Sequence, residues 1–297
     1  SGLFYTTNSC DLSWCRARSI RPRYSFRMRE FPQDGRIGLS FERLTLQPGL
    51  AHVYTTRDRQ GGGNLSLSGA RDADSAVKER VYWCERLGLN PADLVVCGQS
   101  HGNGIALVDD SDRGCGAFSP LTVIPDKDGL ITQTVGLPLY VASADCASIL
   151  IYGAPKSSQN GDSAVASDKP ILGAFHAGWR GLAAGILTEA VQQMVAISSR
   201  PASSFEAGIS PCIGLKSFEV GAEVADAAPD NRRVKIQGRW HVDLAGWAHE
   251  QLKNAGLLDG QIEIAGLDTF DQDRLFFSHR RDGGETGRMG LIASLCP

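Results

Sequence analysis

No stretch of this chain reaches 18 consecutive apolar residues, so no transmembrane helix is expected. The first residues, Ser1-Gly2-Leu3-Phe4, begin without Met and lack the basic-then-apolar layout of a signal peptide. They read as a trimmed start, and the expected location is the cytoplasm. Charge of one sign is also scarce: 30 Lys and Arg stand against 33 Asp and Glu, a net charge of −3. Without a basic stripe there is no electrostatic case for a nucleic-acid partner. A phosphorylated small molecule stays open, because single arginines can hold a phosphate. The eight cysteines (Cys10, Cys15, Cys84, Cys97, Cys115, Cys146, Cys212, Cys296) are too sparse over 297 residues for a disulfide scaffold, so free thiols are expected. Cys10 and Cys15 have no second close pair to complete a zinc knuckle. Gly61-Gly62-Gly63 matches neither a Walker loop nor a dinucleotide fingerprint.

What is present is an ordinary apolar share, enough for a sizeable core. Residues 1–46 are rich in Arg and aromatics with irregular polarity and read as an N-terminal extension. From 47 to 297 the pattern is that of one domain without internal repeats. Strands are expected at 51–56, 94–97, 129–132, 139–143, 149–152, 171–175, 262–265 and 275–278. Residues 75–87 carry Val77, Val81, Cys84 and Leu87 at helical spacing, with Gly88 at the stop. A second helix is expected over 179–197 and a third over 243–255, ended by Gly256. Residues 154–169 form a polar loop. Strands and helices mixed without strict alternation point to an α+β fold.

Three metal-ligand types share one local design. His101 follows the strand at 94–97, Cys146 follows 139–143, and His176 follows 171–175. Each lies just past an apolar strand, where a rigid scaffold presents loop side chains. Two imidazoles and a thiolate suit zinc, and three protein ligands leave a fourth position open for catalysis. A lone His or Cys at a strand end is more often merely packed, and spacing alone does not decide. Arg180, in His176-Ala177-Gly178-Trp179-Arg180-Gly181, stands in a helical first turn, where a cation is disfavoured. It either clamps a phosphate or carboxylate or turns aside to an acid such as Glu189 or Asp145. The segment 276–288, with three arginines and turn glycines, reads more simply as a solvated hairpin tip than as an anion-binding wall. Arg57 and Asn64 raise the same question.

Together, Gln99-Ser100-His101-Gly102, Ala144-Asp145-Cys146, His176 to Gly181, Phe218-Glu219-Val220-Gly221, and Phe277 to Asp282 with Thr286-Gly287-Arg288 resemble one family. It is the family long labelled laccase-domain or multicopper polyphenol oxidase, now described as purine nucleoside phosphorylases with adenosine deaminase activity. The resemblance runs in order over about residues 48–296. It implies zinc bound by His101, Cys146 and His176, and a four-layer α/β/β/α sandwich with mixed sheets. It further implies phosphorolysis of adenosine, inosine, guanosine and methylthioadenosine with inorganic phosphate, and deamination of adenosine. Arg57, Asn64 and Arg180 are carried over as substrate or phosphate contacts. Three departures stand out: Ser100 where an apolar residue is usual, a shortened loop around Gly61 to Gly63, and Asp268 where Cys is common.

In a zinc enzyme of this kind, Asp145 is the candidate to move a proton during deamination. A copper-dependent phenol oxidase is the older reading, but a full multicopper centre needs more histidines than the six present. A metal-free hydrolase with Cys146 as nucleophile and His101 or His176 as base uses the same residues. A catalytically silent binding protein is the remaining alternative.

Overall fold

The computed structural model describes residues 27–31, 35–58, 62–68, 73–155 and 169–297. The Cys10 and Cys15 pair, Gly61 and most of the polar loop at 154–169 lie outside them. In chain order the elements are β1 (Arg27–Phe31), β2 (Arg36–Ser40), β3 (Leu50–Thr55), α1 (Ala73–Arg86), β4 (Val95–Val96), β5 (Ile105–Leu107) and β6 (Gly129–Thr132). There follow β7 (Leu139–Ser143), β8 (Ala147–Gly153), β9 (Ile171–Ala177), α2 (Trp179–Ala183), α3 (Ile186–Ser198), β10 (Glu206–Ile209), β11 (Glu219–Val220) and α4 (Ala222–Ala227). The chain ends with β12 (Arg233–Ile236), β13 (Arg239–Val242), α5 (Leu244–Asn254), β14 (Ile262–Ile264) and β15 (Met289–Leu295).

Two mixed six-stranded sheets form the middle of the molecule, in the orders β1-β2-β3-β15-β7-β4 and β14-β10-β8-β9-β6-β5. Their residues alternate between cores because successive side chains point to opposite faces. Leu139 and Val141 of β7 meet Leu150 and Tyr152 of β8 and Leu172 of β9 between the sheets. Tyr140 of β7 and Ile292 of β15 face outward against Trp83 and Cys84 of α1. Ile149 and Ile151 of β8 face the other way, onto Leu187 and Met194 of α3 and Trp247 of α5. The layers are therefore α1, first sheet, second sheet, then α3 with α5. This is the α+β sandwich anticipated, and a strand buried on both faces explains why β8 and β9 read as unbroken apolar runs.

Several local expectations needed correction. Residues 275–278 are not a strand; Leu275 ends a turn and the next three residues are irregular, with Phe276 and Phe277 buried between the sheets. The strand nearby is β15, central in the first sheet and paired antiparallel with both β3 and β7. The helix expected over 179–197 is two helices, divided at Gly185 with φ +80°. β1 and β2, inside the segment read as an extension, pair with each other, and β2 continues onto β3. Among the described residues no helix is long and apolar enough to cross a membrane, and the six described cysteines are free.

Candidate metal centre and its cavity

The antiparallel register of β8 and β9 builds most of the centre. Ala147 pairs with Ala177 and Ser148 with His176. Cys146 therefore stands opposite Gly178, one residue beyond the ladder and next to His176. A Cβ on Gly178 would lie 2.9 Å from Cys146 Sγ and 3.5 Å from His101 Cδ2. Glycine here leaves room for the ligands themselves. Gly181 does a similar task one turn later: its Cβ would lie 2.9 Å from the Gly102 carbonyl, so its absence lets α2 sit against the His101 loop.

His101 reaches this corner through a loop with two residues in the left-handed region, Gln99 at φ +54° and His101 at φ +64°. Such backbone is costly for residues other than glycine and persists where surroundings enforce it. Gln99 supplies one enforcement, bonding both the Ala142 carbonyl (2.7 Å) and the Ala142 N–H (2.9 Å) as if it were a strand. Asp128 supplies the other. Its fully buried carboxylate accepts from His101 N (2.9 Å), Gly102 N (2.8 Å), Ser100 Oγ (3.1 Å) and His176 Nδ1 (2.8 Å). Burial opposes its ionisation, but these donors hold the carboxyl below its usual range. Ser100 is thus one of the four donors. With Nδ1 committed to Asp128, His176 presents Nε2 to the centre, the carboxylate–histidine arrangement common behind zinc ligands.

The ligand atoms of His101, Cys146 and His176 all lie within 4.8 Å of one another, and the two imidazoles meet edge to face with centroids 4.8 Å apart. Zinc bonds of about 2.0–2.3 Å space tetrahedral ligands by roughly 3.5 Å, so small side-chain rotations close the set. Burial disfavours a thiolate at Cys146, yet His176 and hydrogen bonds from both imidazoles bring its pKa down to about 6. Conversely, burial lowers His176 while Cys146 and Asp128 raise it to about 9. A deprotonated sulfur beside two imidazoles is the donor set that zinc takes. Among the described residues this is the one such cluster.

The centre opens on a cavity of about 760 Å³. Trp179, Phe218, Ile213 and Leu244 supply apolar wall near the ligands. Arg180 lines it too, with a side chain 59% exposed, stacked over the Trp179 ring at 4.3 Å and 4.0 Å from Glu223. Neither Glu189 nor Asp145 is its acidic neighbour. His279, Arg280, Thr286 and Arg288 line the cavity as well, so the segment 276–288 is a wall and not a solvated hairpin tip. Asp145, at φ +86°, explains how that wall is fastened. Its carboxylate accepts from Thr269 Oγ1 (2.6 Å), Ser278 Oγ (3.0 Å) and Arg280 N (2.7 Å).

Arg57 and Asn64 are not among the described residues lining the cavity. Arg57 lies over Phe277, 5.4 Å from the ring centroid, and donates to the Asp273 carbonyl at 3.4 Å. Asn64 turns the chain on itself, accepting from Ser66 N (3.1 Å) and from Arg288 N (2.9 Å). Sequence reasoning missed Asp128. It sits in Asp126-Lys127-Asp128, which reads as an exposed charged turn.

The family described as multi-copper polyphenol oxidoreductase laccase matches residues 56–296. The chain belongs to this family. Its curated relatives include a protein named purine nucleoside phosphorylase ORF3 from Streptomyces griseus, 35% identical over 254 residues, covering 81% of this chain and 93% of the relative. Another, purine nucleoside phosphorylase YlmD from Geobacillus stearothermophilus, is 33% identical over 234 residues, covering 76% and 81%. The crystal structure of YlmD from Geobacillus stearothermophilus is similar with a TM-score of 0.77 at 29% identity, covering 89% of this chain and 97% of that one. A Bacillus licheniformis protein titled hypothetical protein YfiH gives 0.78 at 28% identity, covering 90% and 98%. The laccase-domain chain is thus an enzyme-family member whose relatives carry a phosphorylase name.

Proposed function

We propose that this chain is a zinc-dependent purine nucleoside phosphorylase that also deaminates adenosine, with adenosine, inosine, guanosine and methylthioadenosine as its substrate class. The observation that carries the reading is the meeting of His101, Cys146 and His176 at the wall of a cavity large enough for a nucleoside, in a chain whose relatives are named phosphorylases. Zinc held there would supply a Lewis acid beside the bound base. The protein's own side chains do the rest. Trp179 and Phe218 offer flat faces against which a purine can stack. Arg180, exposed at the wall, can close over the sugar or an anionic group. Asp128 holds both histidines in register. Asp145, whose carboxylate already serves three donors, orients Arg280 and the wall carrying it. Arg57 and Asn64 act through the loops they brace.

The deciding experiment follows adenosine and inosine turnover with and without inorganic phosphate while bound metal is counted on the same sample. Phosphate-dependent release of free base with about one zinc per chain is expected, and Cys146→Ser is expected to lose zinc and turnover together. Full phosphorolysis by a metal-free Cys146→Ser protein would remove the metal from the reaction.

A further inference from the structure

Part of the cavity's apolar wall is carried by a stretch of chain with little regular structure of its own. Ile213 and Phe218 line the cavity, and both lie in residues 210–218, between β10 and β11. The stretch first runs beside Cys146, with Ser210 N donating to the Ser148 carbonyl (3.0 Å) and Ile213 N to the Asp145 carbonyl (2.9 Å). It then turns at Gly214, whose carbonyl accepts from Ser217 N (3.0 Å) and Phe218 N (2.9 Å). Leu215 and Lys216 at its tip are exposed. Two bonds to one carbonyl hold such a turn only weakly.

Asp268 closes it. Its segment runs alongside, since Cys212 N donates to the Leu267 carbonyl (3.3 Å) and Thr269 N to the Cys212 carbonyl (3.1 Å). Oδ1 of Asp268 accepts from Phe270 N (2.9 Å), which orients the carboxylate, and Oδ2 accepts from Ser217 Oγ at 2.6 Å. That is the length of a charge-assisted bond, about twice as strong as one between neutral groups. Gly214 leaves room for the contact: a Cβ there would lie 2.4 Å from Asp268 Oδ2. Phe218, next to the pinned serine, lies under the Arg280 guanidinium, 5.6 Å from the ring centroid. Arg280 is fixed separately, its N–H on Asp145 and its Nη1 on the Glu219 carbonyl (2.6 Å). Neither Ser217 nor Asp268 is among the described residues lining the cavity. Any effect they have on a ligand passes through the wall they hold.

We propose that the Asp268–Ser217 hydrogen bond positions Phe218 for stacking on a purine, and so sets the strength of nucleoside binding and not the rate of the chemical step. The identity of the ligand rests on the phosphorylase reading above. Stacking of a base on an aromatic side chain is worth about five- to 150-fold in affinity, and a ring free to swing away forfeits part of it.

Ser217→Ala removes the hydroxyl and leaves both backbone bonds to Gly214 in place. Asp268 is half-buried, so water can take the vacated position and the variant should fold. Calorimetric titration of the full chain with inosine, without phosphate, reads binding directly; steady-state turnover with phosphate reads the rest. Ser217→Ala should bind inosine about fivefold more weakly and raise its KM to match, with kcat, the KM for phosphate and the zinc content as in wild type. Ser217→Thr keeps the hydroxyl and should bind like wild type. Phe218→Ala should lose at least as much as Ser217→Ala, and the double variant no more than Phe218→Ala alone. Inosine binding untouched by Ser217→Ala, even with a lower melting temperature, overturns the positioning role and spares the phosphorylase. An equal loss in Ser217→Thr, a fall in kcat at unchanged KM, or losses at 217 and 218 that multiply also overturn it. Wild-type protein that neither binds inosine nor splits it removes the phosphorylase reading, and the role given to Phe218 falls with it.

Discussion

At Gly178 one methyl group decides whether three ligands can meet. The residue has an ordinary φ of −80°, so alanine is allowed by the backbone, and the objection is purely spatial: its Cβ would press on Cys146 Sγ at 2.9 Å. Overpacking of this kind costs about 1–3 kcal/mol. Here it falls on the metal-bound arrangement, so Gly178→Ala should keep its fold and lose roughly ten- to a hundredfold in zinc affinity by chelator competition. Unchanged zinc affinity would show that the ligands have slack the distances do not suggest. Asp128 makes a complementary case. Four donors converge on its carboxylate, and an asparagine would have to turn an NH₂ group toward some of them. Asp128→Asn should therefore weaken zinc by about ten- to a hundredfold, the usual cost of losing the partner behind a ligating histidine. The readout is the same competition. Zinc binding at wild-type strength would mean that the ligands hold themselves in place. His101, Cys146 and His176 were legible as candidates from residue type and position after strands. Asp128 was not, because only the fold brings it under both histidines.

Among the elements, legibility followed how plainly one force dominated. β6 and β7 were read to their ends, since compact apolar runs bounded by polar turns leave little choice. β15 was missed although it is central: Gly290, Ala293 and Ser294 weaken its β character. Gly290 is there because Tyr140 occupies the space, its Cε2 only 2.2 Å from where a Cβ would go. Phe276 and Phe277 misled in the opposite sense, being buried by packing without belonging to a strand. The segment 179–197 kept helical spacing across a break that one residue causes. Gly185 takes φ +80°, ends α2 and starts α3, which lets the short α2 fold over the His101 loop. A Cβ there meets nothing within 4 Å, so Gly185→Ala tests conformation alone. The left-handed cost is about 1–2 kcal/mol, and thermal unfolding should shift down by a few degrees. A rise in melting temperature would mean that the two helices prefer to be one.

For the whole molecule, the position of the candidate centre matters more than its composition. His101 follows β4 of the first sheet, Cys146 lies in the corner where the chain passes from β7 in the first sheet to β8 in the second, and His176 is on β9 of the second. An ion held by all three would tie the two layers at one end of their shared core. Because unfolding scatters the ligands, metal binding is then also folding free energy. With free zinc a hundredfold above its dissociation constant, the stabilisation is about 2.7 kcal/mol. For a chain of 297 residues that corresponds to a melting shift of roughly 4 °C. Chelation should lower the wild-type melting temperature by that amount, and zinc should restore it. Cys146→Ser should start near the chelated value and respond to neither treatment. An equal response in that variant would place the stabilising ion elsewhere and leave the two sheets held by their apolar interface alone.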